Sequence, residues 1–179
     1  DLGTDTALTA LNQIAERVSF AGLRKQAQEK VKEVAAALGL TAEQLADRLV
    51  PDLGLDPDGS LILDYGPRQF VVGFDEALRP HVSEVGGSRR ASLPKPGARD
   101  DAELAAAAQQ RFTALKKAVR GIASDQILRL ERAMVRTGRR WSADEFQRLL
   151  VGHPLIWHIA RRLVWSAQVG DQPPTGLRI

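Results

Sequence analysis

Side chains able to do chemistry are few in this sequence, and their spacing decides most of what they can do. Of the three histidines, His153 and His158 lie five residues apart, and His81 sits in a distant segment beside Pro80. A metal pair on a helix needs a spacing of four, so these two do not share a face. His153, before Pro154, reads as a turn residue and His158 as a partly buried aromatic. The chain has no cysteine, which removes thiol nucleophiles, disulfides and thiolate metal sites together. Asp56-Pro-Asp-Gly has the start of a calcium loop but lacks alternating ligands and a closing glutamate, so it reads as a turn. The pairs Asp100-Asp101 and Asp75-Glu76 fall at expected element starts, where carboxylates cap. No glycine pattern that cradles phosphate or presents a nucleophile occurs. No catalytic residue, cofactor or metal is expected.

Cations are the remaining feature. Residues 1–100 carry 12 Lys and Arg against 15 Asp and Glu, a net of −3, whereas residues 101–179 carry 13 against 7, a net of +6. Lys116, Lys117, Arg120, Arg129, Arg132, Arg136, Arg139 and Arg140 supply most of that excess and could contact phosphates without reading sequence. A helix-turn-helix formed by Ala143–Val151 and Leu155–Trp165 is disfavoured. Its reading helix would show Leu155, Ile156, Trp157, Ile159, Leu163 and Trp165, and a helix apolar on nearly every side is buried. Trp157 and Trp165 are therefore read as core residues. With one tyrosine and its aromatics committed to packing, the chain is poorly supplied for stacking single-stranded bases.

The elements that must position these residues follow from periodicity. A chain of 179 residues, 44% apolar and 26% charged, can bury roughly 70% of its unfolded surface as one domain. Apolar residues from Leu8 to Leu38 recur at helical steps, with a break expected at Ser19 to Gly22 and a stop at Gly39. Thr41 with Gln44 is a capping box that opens a short helix before Pro51. The period then falls to two: Leu61, Leu63 and Tyr65 alternate, as do Phe70, Val72 and Phe74, whose face should be closed by helices. Val82 and Val85 lead to Gly86-Gly87 and a returning strand at Ser88 to Ser92, giving three or four antiparallel strands.

Leu93-Pro-Lys-Pro-Gly is a linker. Asp100 and Asp101 start a long helix, with Leu104, Ala108, Phe112, Leu115, Val119, Ile122, Leu130 and Met134 as its stripe and Gly121 as a place for a kink. Ser142 and Glu145 form a second capping box, and a last helix is expected from Pro154 to Trp165. Val164 to Val169 and Gly176 to Ile179 read as two strands of a ribbon. The fold class is α+β, helix-dominated: residues 1–50 helical, 52–93 a small antiparallel sheet (strands within about 60–93), 100–165 helical and 166–179 the start of a β ribbon. The sequence lacks a starting Met and stops on an apolar end, so residues 1–179 are expected to be a single-domain fragment whose ribbon continues in a parent protein. No apolar run approaches the roughly 20 residues that span a bilayer, and no membrane contact is expected.

Several strings resemble one bacterial family: Ala46-Asp-Arg-Leu-Val-Pro-Asp-Leu-Gly-Leu-Asp, Leu63-Asp-Tyr-Gly-Pro-Arg, Val72-Gly-Phe-Asp-Glu, Leu93-Pro-Lys-Pro-Gly, Ala123-Ser-Asp-Gln-Ile and His153-Pro-Leu-Ile-Trp-His-Ile-Ala-Arg-Arg-Leu-Val-Trp. Together they are similar to the uncharacterised domain of long proteins named as molybdate metabolism regulators, many of which carry a WGR module. No catalytic residue comes with the resemblance, and the WGR module is not among these residues. The expected function is that of a non-catalytic scaffold or regulatory domain of a larger cytoplasmic protein. Its partners would be other segments of the parent and, unspecifically, nucleic acid. The alternative is part of an enzyme linked to nucleotide or ADP-ribose chemistry, its site completed by other segments.

Overall fold

The computed structural model describes residue 8 and residues 20–75, 77–84 and 87–179. The chain divides into two compact units, Asp1–Pro51 and Asp52–Ile179. In the first unit, α1 spans Ala21–Ala37 and α2 spans Ala42–Arg48. The expected break near Gly22 coincides with the start of α1, and residues 9–19 lie outside the described ones. Gly39 adopts a left-handed φ of 68° and ends α1, as a residue without a Cβ does at little cost. Thr41 caps α2 in the expected box: its hydroxyl accepts from Gln44 N–H at 3.1 Å, and the Gln44 side chain accepts from Thr41 N–H at 2.9 Å. Ala27, Val31, Ala35, Leu45 and Leu49 bury one face with Leu8. Leu23 and Leu38, expected in the same stripe, are exposed instead.

The second unit opens with the turn at Asp56: Gly59 N–H donates to Asp56 O, and Asp58 Oδ1 accepts from Ser60 N–H. Three antiparallel strands follow in the order β1 (Leu61–Asp64), β2 (Gln69–Phe74) and β3 (Pro80–Glu84). Leu63 pairs with Phe70, and Val72 with Val82. Alternation puts Leu63, Phe70, Val72, Phe74 and Val82 on one buried face, as the period of two requires. The expected returning strand at Ser88 to Ser92 is reduced to one bridge, Arg90 with Val82.

A long helix packs against this sheet. α3 runs unbroken past Gly121 from Ala102 to Arg132, and Asp101 caps it by accepting from Glu103 N–H and Leu104 N–H, both at 2.9 Å. Ala108, Phe112, Leu115, Val119, Ile122 and Leu130 are buried as the stripe predicts. Ala105 takes the inward place expected of Leu104, because the helix start is bonded directly to the sheet, Asp101 N–H to Tyr65 O at 2.9 Å. Tyr65, fully buried, also donates its hydroxyl to Pro94 O at 3.0 Å and accepts from Gln109 Nε2 at 3.3 Å. Arg68 grips Asp100 with two charge-assisted bonds, Nε to Oδ1 at 3.0 Å and Nη2 to Oδ2 at 2.5 Å.

Beyond α3 the chain winds through a π turn, Ala133–Thr137, which Gly138 ends at a left-handed φ of 56°. The expected helix from Ala143 to Val151 is α4 (Ala143–Phe146) continued as a π turn (Gln147–Val151), with Ser142 and Glu145 in their capping box. The expected last helix shrinks to α5, Trp157–Ala160. Trp165 instead enters a two-stranded ribbon, β4 (Trp165–Ala167) against β5 (Thr175–Leu177), and its indole N–H reaches back to Ala160 O at 2.8 Å. That bond adds a second donor to a carbonyl at the helix end, which also accepts from Leu163 N–H at 3.2 Å. Mixed helix and antiparallel sheet make the fold α+β. Phe70→Ala should cost about 3–5 kcal/mol and Asp101→Ala about 1 kcal/mol in urea unfolding, with unchanged slopes.

Candidate functional site

The cations singled out by sequence do not form one patch. At 100° per residue, Lys116, Lys117 and Arg120 share an arc of about 100° on α3, while Arg129 and Arg132 project from its far side. Lys117 and Arg120 are exposed. Lys116, half-buried, holds its Nζ 4.8 Å from the centre of the Phe112 ring, a cation–π contact. Arg129 donates from Nη1 to Gln126 Oε1 at 2.8 Å. Arg132 is exposed on the last turn, and Arg136 belongs to the succeeding π turn.

Arg139 and Arg140 leave the helix set altogether. Arg139 keeps only 12% of its side chain exposed. It stacks 5.0 Å over Trp141, stands 3.7 Å from Glu145 Oε2 and donates to Arg140 O. Arg140 donates from Nη1 to Gln168 Oε1 at 3.2 Å, which joins the start of this segment to the end of β4. Arg139 is fastened to the aromatic cluster, and Arg140 to Gln168 beside β4.

That cluster also places the tryptophans. Trp165 meets Phe146 and Trp141 edge to face, at 4.8 and 5.8 Å between ring centres. Trp157 lies beside His158, and Arg161 stands 4.6 Å over its ring. Both indoles are half-buried, while the fully enclosed side chains of the segment are Leu155, Ile156 and Ala160. The indoles seal the rim of the core with their faces covered by arginine or by other rings.

The histidines are committed to packing. His153 Nδ1 accepts from Leu155 N–H at 3.2 Å and Ile156 N–H at 3.3 Å, a side-chain cap on the turn that leads to α5. An Nδ1 that accepts carries no proton, so this bond fixes the tautomer. His158 is only 8% exposed, packs edge-on against Phe74 at 5.8 Å, and its Nδ1 has no hydrogen-bond partner among the described residues. Burial, and then the charge of Arg161, push its pKa down. The turn at Gly59 approaches so closely that a Cβ there would lie 2.8 Å from Pro154 O and 3.4 Å from His158 Nε2, and its φ is 79°. Among the described residues no three His, Asp or Glu side chains gather as metal ligands. Asp100 is held below the ordinary carboxylate range by Arg68 and by Gly97 N–H, which makes it a structural acceptor.

Sequence reasoning missed an apolar groove of about 270 Å³ beside the second half of α3. Ile127, Leu130 and Met134 form one wall, with Leu78, Ile159 and Leu163 opposite, and among the described residues Glu131 and Arg162 are the charged ones that line it. The helical stripe gave a partial signal, since Met134 continues it beyond the sheet that the stripe covers.

The family described as Domain of unknown function (DUF4132) matches residues 87–178. The uncharacterized protein YehI of Escherichia coli (strain K12) is 41% identical over 172 residues, which is 96% of this chain. This chain belongs to that family of unknown function. It spans 14% of the length of YehI. No solved structure matches it. The matched stretch contains α3, its side of the groove and the aromatic cluster, whereas β1, β2, β3 and Leu78 precede it.

Because the native state holds His158 neutral, the unfolded chain takes up a proton first as pH falls. Stability is therefore complete above the unfolded pKa and declines from about pH 6.5 downward, until the depressed native value is passed. His81, lowered by burial and then by Arg89, acts with the same sign. Urea midpoints should fall between about pH 7 and pH 5, and His158→Leu should flatten part of that slope while His81 retains the rest.

Proposed function

We propose that this chain is a non-catalytic scaffold or regulatory domain of a larger bacterial cytoplasmic protein. It contacts other segments of its parent and touches nucleic acid without reading sequence. We also propose that the parent belongs to the group named as molybdate metabolism regulators and carries a WGR module elsewhere. The observation that supports binding is the exposed pair Lys117 and Arg120 on one uninterrupted helix of 31 residues. Such cations meet phosphates, while the short α5, with His158, Ile159 and Ala160 buried, offers no polar row to base edges. His153 and His158, on which a catalytic reading would rest, serve as a cap and a core ring. No helix among the described residues is long and apolar enough to cross a membrane.

Titration of the 179-residue chain with short duplexes of unrelated sequence tests the contact. Affinity should fall steeply with salt and differ little between sequences. The double variant Lys117→Glu, Arg120→Glu should weaken binding by about tenfold or more and lower the salt slope by about two. Absence of duplex binding at low salt, or a strong preference for one sequence, would remove this reading.

A further inference from the structure

The end of α3 shows more apolar surface than a solvated helix needs. Ile127 is 44%, Leu128 45%, Met134 74% and Val135 82% exposed, all within three turns. Ile127 and Met134 share one side of the helical path, and exposed apolar surface of this kind marks interaction sites. The backbone changes at the same place: Ala133–Thr137 is a π turn, a rare form found frequently at functional sites. The groove lies alongside, walled by Ile127 and Leu130 on α3, by Met134 on the π turn that continues it, and by Leu78, Ile159 and Leu163 opposite. From Ala123 to Met134 it follows α3 for about 17 Å, the length of three helical turns. Apolar side chains spaced at i, i+4 and i+7 on an incoming helix fit such a length.

Charge selects the occupant. Lys116 and Arg120 lie within about 60° of the groove wall on α3, one to two turns nearer its start, and Lys117 flanks them. Arg162 lines the opposite wall, and among the described residues Glu131 is the single lining carboxylate. A second copy would bring its own α3, which carries six Lys and Arg against three Asp and Glu, toward the same cations. Like charges so placed cost affinity and slow association. We infer that the groove docks an acidic amphipathic helix from a polypeptide segment other than a second copy of this chain. This rests on the binding-module reading above but not on its nucleic-acid contact.

The probe is a fluorescein-labelled helical peptide of about 18 residues, with Leu at i, i+4, i+7 and i+11 and Glu on the flanks. Fluorescence anisotropy with the 179-residue chain should show saturable binding. Exchanging every Glu for Lys should weaken it at least about tenfold. Met134→Glu should weaken it by about tenfold and Arg120→Glu by about threefold, with thermal melts unchanged because both side chains are exposed. Equal binding of the acidic and basic peptides, no binding of the acidic one, or no effect of Met134→Glu would overturn the inference. So would a concentration-dependent dimer in sedimentation that Met134→Glu abolishes, since that assigns the groove to a second copy. Duplex binding without peptide binding sinks the groove alone; failure of both probes sinks the binding-module reading with it.

Discussion

The second unit depends on the junction where the β1–β2 turn, the proline linker and the start of α3 meet. Tyr65 contributes a carbonyl to Asp101 N–H and a hydroxyl to Pro94 O, while Arg68 holds Asp100 through a planar, two-point pair. The Asp100 side chain is 3% exposed, so the carboxylate depends on Arg68 and Gly97 N–H for nearly all its solvation. Removing one partner would leave a buried charge alone, which costs far more than the pair contributes. The adjacent acids divide the work: Asp101 caps the helix and Asp100 anchors its approach. Tilt and register of α3 on the sheet follow from that anchoring, and everything along the helix inherits them.

One consequence is a division along α3. Its first half spends its apolar stripe on the sheet, from Ala105 to Ile122. Its second half runs past the β2–β3 turn and has less to cover, since Leu78 and the short α5 segment leave space between them. Leu130 is buried there while Ile127 and Met134 remain at the groove. The cations divide in the same way. Arg111 reaches back to Leu53 O at 2.6 Å, and Arg139 is absorbed among aromatics, whereas Lys117 and Arg120 stand outward. A charge total of the C-terminal part therefore overstates what can meet an anionic partner. An arginine with its guanidinium over an indole and beside a carboxylate is already engaged.

The histidines show why residue type alone misleads. Two imidazoles in one segment suggest acid–base or metal chemistry, yet a side-chain cap and a packed ring use the same atoms. His153 gives its lone pair to two backbone N–H groups, and His158 packs its ring against those of Phe74 and Trp157. Family membership adds no role to either, because the relative is itself uncharacterised.

Local rules were legible in the sequence by themselves. Both capping boxes, the stop at Gly39, the turn at Asp56 to Gly59, the alternating Phe70, Val72 and Phe74 face and most of the α3 stripe follow from interactions between residues a few positions apart, which sequence spacing encodes directly. The α+β class follows from the same signals, because a change of period from 3.6 to two is itself local. Tertiary structure decided where local propensity competes with a distant partner. Trp165 leaves an apolar helical pattern because Leu177 offers strand pairing and Ala160 O accepts the indole N–H. Ser88 to Ser92 lose their strand to a single bridge, and Leu104 yields the inward position to Ala105 where α3 is bonded to Tyr65. The site divides likewise: the identity of the cations is a sequence fact. Which of them face outward, and that a groove lies beside them, depended on distant residues such as Leu78 and Met134 being brought together, and spacing along the chain carries no record of that.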